Sequence, residues 1–233
     1  MVRNKKDNDD TTRPIISKIN PKSPISEQYR TIRTNIEFAM VDNGLKSILM
    51  TSAEVGAGKS TLVANLAILF AEQGKRVLLI DADLRKPTVH RTFNLDNQSG
   101  LANVLVRQVE LGSAIQETDF SKNLFILSSG SIPNNPSELL GSRAMADVLT
   151  EVRRVFDLII VDTPPLLGVT DAQILSRAID GVVLVAHANQ TKKEELARAK
   201  RLLEQVQANI LGCVLSNYEA RDSSYYYYYG EEN

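Results

Sequence analysis

The chain has 233 residues, a formal net charge of −1 and a single cysteine. The nearly balanced charge gives no overall field for nucleic acid or an anionic membrane, and one cysteine excludes a disulfide within the chain. No apolar run approaches the roughly 18 residues of a membrane span, and the polar N-terminus lacks the apolar stretch of a signal peptide. We therefore expect a cytoplasmic protein without direct membrane insertion and without a nucleic-acid partner.

Helical patterns alternate with apolar runs between residues 25 and 217, and no shift in composition divides this stretch into two domains. In chain order the predicted elements are helix Ser26–Met40, strand Ser47–Ser52, helix Gly58–Gln73, strand Arg76–Asp81, helix Leu101–Val106, strand Leu124–Leu127, helix Ala144–Val155, strand Leu158–Asp162, helix Asp171–Ala178, strand Gly181–Ala186, helix Lys193–Gln207 and strand Ile210–Ser216. The strands are continuous apolar runs, which is typical of a mostly parallel sheet covered by helices on both faces. The predicted fold class is α/β, with residues 25–217 as one domain and Cys213 buried in its core.

The two ends of the chain differ from this domain. Residues 1–24 are polar, mixed in charge and interrupted by three prolines, so we predict a flexible arm. Six of the seven tyrosines lie beyond residue 217, five of them in the run Tyr225–Tyr229. This run has no alternating pattern that would bury one face, so residues 218–233 are predicted to be a mobile tail. The tail is either a low-complexity end or a set of phosphoacceptors.

The segment Ser52–Thr61 has the sequence of a phosphate-binding loop (P-loop), although Ala53 stands where the usual pattern opens with glycine. It lies between a predicted strand and a predicted helix, which is the setting that such a loop requires. Glycines let successive backbone N–H groups face phosphate oxygens, and the helix N-terminus adds the positive end of its dipole. We predict a P-loop NTPase in which Lys59 contacts the β- and γ-phosphates and Ser60 binds Mg²⁺. The predicted nucleotide-binding residues of the loop are Val55, Gly56, Ala57, Gly58, Lys59, Ser60 and Thr61.

Acidic residues follow two of the predicted strands directly. Asp81 and Asp83 come after the second strand, and Asp162 ends a later one. Because ligands bind at the carboxyl ends of parallel strands, these carboxylates should lie near the triphosphate, which they would repel unless a divalent cation lay between them. We expect Asp81 to act on the nucleophile, Asp83 to support the metal shell and Asp162 to hold Mg²⁺ through water. Arg85 and Lys86 either stabilise phosphate charge or solvate a loop. The predicted catalytic residues are Lys59, Asp81 and Asp83, and the predicted metal ligands are Ser60, Asp81, Asp83 and Asp162.

Three features together resemble the bacterial tyrosine kinases (BY-kinases), which are cytoplasmic kinases that regulate capsule and exopolysaccharide synthesis. They are the run from Leu78 to Pro87, the Asp162-Thr163-Pro164-Pro165 element and the tyrosine-rich end, and the resemblance covers about residues 25–233. It implies that Mg-ATP is used to phosphorylate tyrosines of other proteins and the chain's own tail. It also implies activation by a separate transmembrane protein, which could recruit the chain to the inner face of the membrane. The implied phosphoacceptors are Tyr225, Tyr226, Tyr227, Tyr228 and Tyr229.

The resemblance adds two further expectations. Glu27, Arg30 and Arg33 lie along one face of the first helix, where such charges are usually solvated and worth little energy. Their spacing nevertheless matches the Glu-x-x-Arg-x-x-Arg motif through which the family assembles rings, so we expect a homo-oligomer contact. Asn217 follows the last strand, and it either hydrogen-bonds adenine, as an Asn does there in relatives, or forms a strand-end turn.

An alternative function is that of a partitioning or septum-placing P-loop ATPase, which acts as a switch and phosphorylates no protein. Those proteins carry a signature lysine five residues before the lysine of the loop, and this chain has Glu54 at that position. They often end in an amphipathic membrane helix, whereas this chain ends in a tyrosine run. The sequence therefore favours the kinase.

Overall fold

The computed structural model describes residues 15–41 and 44–218 of the chain. Its strands are β1 (Ser47–Ser52), β2 (Val77–Asp81), β3 (Ile115–Glu117), β4 (Leu124–Leu127), β5 (Leu158–Asp162), β6 (Gly181–His187) and β7 (Ile210–Ser216). Its helices are α1 (Ile16–Ile19), α2 (Pro24–Val41), α3 (Lys59–Glu72), α4 (Val89–Phe93), α5 (Leu101–Leu105), α6 (Leu111–Ala114), α7 (Pro136–Leu140), α8 (Arg143–Val155), α9 (Asp171–Ser176) and α10 (Lys193–Gln205).

The described strands form one sheet in the order β3-β4-β2-β5-β1-β6-β7. Every neighbouring pair is parallel except β3 and β4, which are antiparallel. The predicted α/β class with a mostly parallel sheet is confirmed. The sequence analysis missed β3, because three residues, two of them polar, form neither an apolar run nor an alternating pattern.

Helices cover both faces of the sheet, and successive strand residues alternate between two core clusters. Leu78 and Ile80 of β2 pack in one cluster with residues of α5, α8 and α9, whereas Leu79 packs in the other with residues of α2 and α3. Both clusters require apolar residues, which explains why the central strands read as unbroken apolar runs.

The beginning of α1 packs against the domain, although it belongs to the stretch that was predicted as a flexible arm. Ile15 and Ser17 are buried, and the Ser17 N–H donates to Asn65 Oδ1 of α3 at 3.1 Å. This part of the chain therefore differs from the predicted flexible arm. The contact could not be recognised in the sequence, because two apolar residues among prolines do not form a helical pattern. Residues 1–14 lie outside the described residues.

The prediction that Cys213 is buried is wrong, since the structure places its side chain in an exposed position on β7. Among the described strands it lies at the edge of the sheet, where its partner is β6. Leu211 and Val214 pack against the core, but Leu215 is exposed like Cys213. An apolar run at a sheet edge can thus be buried in part only.

In the two described ranges, no helix combines the length and the apolar character that crossing a bilayer would require.

Candidate active site

A cavity of about 650 Å³ opens at the carboxyl ends of the central strands. The loops after β1, β2 and β5 form its walls, as expected for a ligand site in a parallel α/β sheet. Its volume lies in the range of small-molecule sites. The lining residues that the chemistry below uses are Gly56, Gly58, Lys59, Ser60, Asp83 and Arg85.

The loop between β1 and α3 has the backbone geometry of a phosphate-binding loop. Gly56 and Gly58 have φ angles of 87° and 76°, in the left-handed region that favours glycine, and α3 begins directly afterwards at Lys59. The end of β7 packs against the loop, because Ser216 Oγ donates to the carbonyl of Ala57 at 2.7 Å. A Cβ on Gly58 would lie 3.2 Å from Ser216 Oγ, so this position requires glycine for its conformation and for its space.

Lys59, which lines the cavity, forms a buried ion pair with Asp162. Lys59 is 8% exposed and Asp162 is 1% exposed, and Lys59 Nζ donates to Asp162 Oδ1. Lys59 Nζ also lies 3.3 Å from Ser60 Oγ. Lys59, predicted to bind phosphate, therefore contacts two side chains that were predicted to bind the metal, Ser60 and Asp162.

Asp81 lies beside Asp162, because the two residues are register partners at the ends of β2 and β5. Its side chain is fully buried, and its carboxylate accepts the N–H groups of Asp83 (3.2 Å), Thr88 (3.1 Å) and Val89 (3.0 Å). Burial raises the pKa of Asp81 to about 7, and the charges of Asp162 and Asp83 act in the same direction. The Val89 N–H and the Lys59 ammonium lower this pKa, but they do not compensate.

Asp83, rather than Asp81, forms part of the cavity wall. The Asp83 carboxylate accepts the backbone N–H groups of Arg85 at 3.3 Å and Lys86 at 2.9 Å. A substrate in the cavity would therefore meet Asp83 first, with Asp81 directly behind it. The separate roles that were expected for these two carboxylates remain predictions.

Arg85 is held by two residues that the sequence analysis did not select. Its Nε and Nη2 donate to the two carboxylate oxygens of Asp171 at 2.8 and 3.1 Å, and Nη2 also donates to Ser137 Oγ at 2.9 Å. Ser137 Oγ donates in turn to Asp171 at 2.6 Å. An acidic residue at the start of a predicted helix reads as a helix-start signal, so the sequence offered no reason to pair Asp171 with Arg85.

The residues of the site fit a magnesium ion. Mg²⁺ prefers hard oxygen ligands, and it is usually held by one or two carboxylates together with waters and substrate phosphates. Ser60, Asp83 and Asp162 offer such oxygens around the P-loop. In residues 15–41 and 44–218, no three His, Cys, Asp or Glu side chains are grouped so that they could hold a metal by themselves.

Asn217 follows Ser216 in the left-handed conformation, with a φ angle of 52°, and its side chain is exposed. It is not part of the cavity wall. The left-handed φ agrees with a strand-end turn, and the adenine contact remains a prediction.

The residues of the predicted oligomer contact are not part of the cavity wall. Glu27 and Arg30 form an ion pair on α2, whereas Arg33 Nη1 donates to the carbonyl of Leu69 on α3 at 3.4 Å. The three residues therefore do not present one uniform charged surface. The predicted phosphoacceptors Tyr225–Tyr229 lie outside the described residues.

Comparison with known proteins identifies close relatives. Residues 45–212 match the family described as AAA domain. The chain is 50% identical over 221 residues to tyrosine-protein kinase YwqD of Bacillus subtilis, which covers 95% of this chain and 93% of that protein. It is 36% identical over 210 residues to tyrosine-protein kinase CpsD of Streptococcus agalactiae, which covers 90% of each.

Several solved structures are also similar to this chain. The chimerical protein CapA2B2 superposes with a TM-score of 0.83 and 44% identity, over 86% of this chain and 88% of the other. The kinase domain of the Escherichia coli tyrosine kinase ETK superposes with a TM-score of 0.83 and 33% identity, over 90% and 84%. The septum site-determining protein MinD of Pyrococcus horikoshii, solved with Mg-ADP, is more distant, with a TM-score of 0.62 and 25% identity over 73% and 69%.

Proposed function

Because the chain belongs to the bacterial tyrosine-protein kinase family, we propose that it transfers the γ-phosphoryl group of ATP to tyrosine hydroxyls. Its targets are the tyrosines Tyr225–Tyr229 of its own tail and tyrosines of other proteins. The observation that carries this proposal is the placement of Lys59 and Asp83 in the wall of one cavity at the P-loop, with the buried Asp162 paired to Lys59. The identity to named tyrosine kinases supports the choice of acceptor.

The phosphates would lie on the P-loop, where the backbone N–H groups and the N-terminus of α3 face the cavity. Lys59 would leave Asp162 to contact the phosphate oxygens, and Ser60, Asp83 and Asp162 would hold Mg²⁺. When bound, Mg²⁺ neutralises charge that develops on the transferring phosphoryl group. The protein contributes mainly by positioning its charges before the reaction.

In the transfer itself, the phenolic oxygen bonds to the γ-phosphorus while the bond from that phosphorus to the β–γ bridging oxygen breaks, and ADP leaves. The phenol has a pKa of about 10 and is mostly protonated at neutral pH, so it must lose its proton to a base. Asp83 lies in the cavity wall, and its backbone N–H donates to the carboxylate of the buried Asp81. We assign proton acceptance to this pair, with Asp81 as the predicted base.

The remaining parts of the proposal concern partners. The Glu27, Arg30 and Arg33 motif supports a homo-oligomeric ring. Activation by a separate transmembrane protein, which would bring the chain to the inner face of the membrane, is proposed on the resemblance to the BY-kinase family. Regulation of capsule or exopolysaccharide synthesis is proposed on the resemblance to the BY-kinase family.

Incubation with γ-labelled ATP and Mg²⁺, followed by phosphoamino-acid analysis, tests the proposed reaction. We expect phosphotyrosine on the chain, and none on a folded Lys59→Met variant. The switch ATPase is the alternative, and it would release inorganic phosphate and form no phosphotyrosine. Glu54 at the position of the signature lysine argues against that alternative.

A further inference from the structure

We propose that Arg85 is a positioning residue, which acts through Asp171 to hold the Asp83 carboxylate at the wall of the active-site cavity. The kinetic part of this inference rests on the proposed kinase function. The structural part, namely that the loop after β2 is fixed by an anchor in α9, can be tested without phosphoryl transfer. The sequence left open whether Arg85 contacts phosphate or solvates a loop.

The loop between β2 and α4 is held by carboxylates that accept backbone N–H groups. Asp81 accepts from Asp83 at the start of the loop and from Thr88 and Val89 at its end. Asp83 accepts from Arg85 and from the residue after it. The direction of the Asp83 carboxylate therefore depends on where the backbone of Arg85 lies.

The side chain of Arg85 fixes this backbone from the other side of the loop. The Arg85 guanidinium is paired through two N–H groups with both oxygens of Asp171, and the exposed fractions of the two side chains are 36% and 0%. Ser137 closes the triangle, since it accepts from Arg85 and donates to Asp171. The triangle joins the loop to α7 and α9, and a two-pronged Arg–carboxylate contact fixes direction as well as distance.

The contacts of Arg85 disfavour the competing role, that of a phosphate ligand. Three N–H donors of the guanidinium are committed to Asp171 and Ser137, out of the five that an arginine carries. If Arg85 turned into the cavity to meet a phosphate, Asp171 would be left buried without its cation, which is strongly unfavourable. The arrangement favours a fixed anchor over a mobile phosphate ligand.

The test compares Arg85→Ala, Arg85→Lys, Asp171→Asn and the double variant Arg85→Ala/Asp171→Asn with the wild type. Arg85→Lys keeps the positive charge beside Asp171 but loses the two-pronged contact. It therefore tests the geometry of that contact in a chain where Asp171 retains a counter-ion. Arg153→Ala is the control, because Arg153 also forms an ion pair with an aspartate, Asp180, but at the opposite ends of the strands and with the two side chains 31% and 29% exposed. The readouts are kcat, the KM for ATP, and deuterium uptake of the peptide that spans residues 82–89.

We expect kcat to fall roughly tenfold to a hundredfold in Arg85→Ala and in Asp171→Asn, with the KM for ATP changing far less. The double variant should be no slower than the slower single variant, because both changes remove the same anchor. Arg85→Lys should remain well below the wild type. Uptake over residues 82–89 should rise in all of these variants and stay at the wild-type level in Arg153→Ala, which also keeps its kcat.

Two results would overturn the inference. If Asp171→Asn kept the wild-type kcat while Arg85→Ala lost it, Arg85 would act directly on the substrate. If Arg85→Lys had full activity, the positive charge alone would suffice and the two-pronged contact with Asp171 would have no role. A wild-type chain that forms no phosphotyrosine, together with raised uptake in the variants, would refute the proposed kinase while supporting the anchor.

Discussion

The buried carboxylate of Asp81 should make the stability of this protein depend on pH in the opposite direction from that of an ordinary salt-bridged aspartate. Its pKa rises from 3.8 to about 7 on folding, mainly because the side chain is removed from water and faces Asp162. The folded state therefore holds this proton more tightly than the unfolded state. Between about pH 4 and pH 7 the folded chain binds more protons, so its free energy of unfolding falls as the pH rises.

The magnitude follows from the size of the shift. A rise of about three pKa units corresponds to about 4 kcal/mol between the two ends of this range, as an upper value for a group near other charges. Below the unfolded pKa the group is neutral in both states, and above about pH 7 it is ionised in both. The contribution is thus fully present below pH 4, and it is lost as the pH rises through the folded value.

Urea unfolding of the wild type and of Asp81→Asn, followed by circular dichroism from pH 4 to pH 8 with EDTA and without nucleotide, isolates this term. Asparagine does not ionise in this range, and any effect of the exchanged hydrogen bonds is the same at every pH. We expect the free energy of unfolding of the wild type, taken relative to Asp81→Asn, to drop by up to about 4 kcal/mol between pH 4 and pH 8. A difference that stays constant over the range would refute the reasoning about burial.

Three further predictions concern activity and assembly. Lys59→Met should abolish phosphotyrosine formation and lower the melting temperature, because Asp162 loses its buried partner; activity in the folded variant would contradict the assignment. Arg30→Ala combined with Arg33→Ala should convert an oligomer to monomers, and light scattering that gives the wild type and the double variant the same mass would count against the ring. A Lys59→Met chain mixed with an active chain whose Tyr225–Tyr229 are all Phe should become phosphorylated on its tail. No label there, while the wild type labels itself, would leave transfer within one chain.

The sequence predicted the main sheet and the P-loop because both have strong local signals. The runs Leu78–Ile80 and Ile159–Val161 must be apolar on both faces, and such runs are visible without knowledge of their partners. Short elements such as α4 and α7, with five residues each, have no such period, and they were missed. Cys213 was placed wrongly because an apolar run does not show whether its strand lies at the centre or at the edge of the sheet.

The candidate site was predicted as a set of residues, but its contacts were not. Asp81 and Asp162 were expected near the P-loop because each ends a buried strand. Asp81 is buried, whereas Asp83 lies in the cavity wall. This difference depends on hydrogen bonds from the loop after β2, which the spacing of residues in the sequence does not reveal. The pairing of Arg85 with Asp171 joins residues that are 86 positions apart, and only the folded chain brings them together.

The ion pair between Lys59 and Asp162 makes the binding of nucleotide an exchange of counter-ions rather than a simple addition of charge. Lys59 can contact a phosphate only if its ion pair with Asp162 breaks. Breaking the pair is favourable when a divalent cation takes the place of the lysine at the carboxylate. Nucleotide and metal should therefore strengthen each other's binding by the same factor, as thermodynamic linkage demands. An anion that brings no metal would have to separate a buried pair for which it supplies no replacement, so the loop should discriminate in favour of metal-chelated triphosphates over free ones.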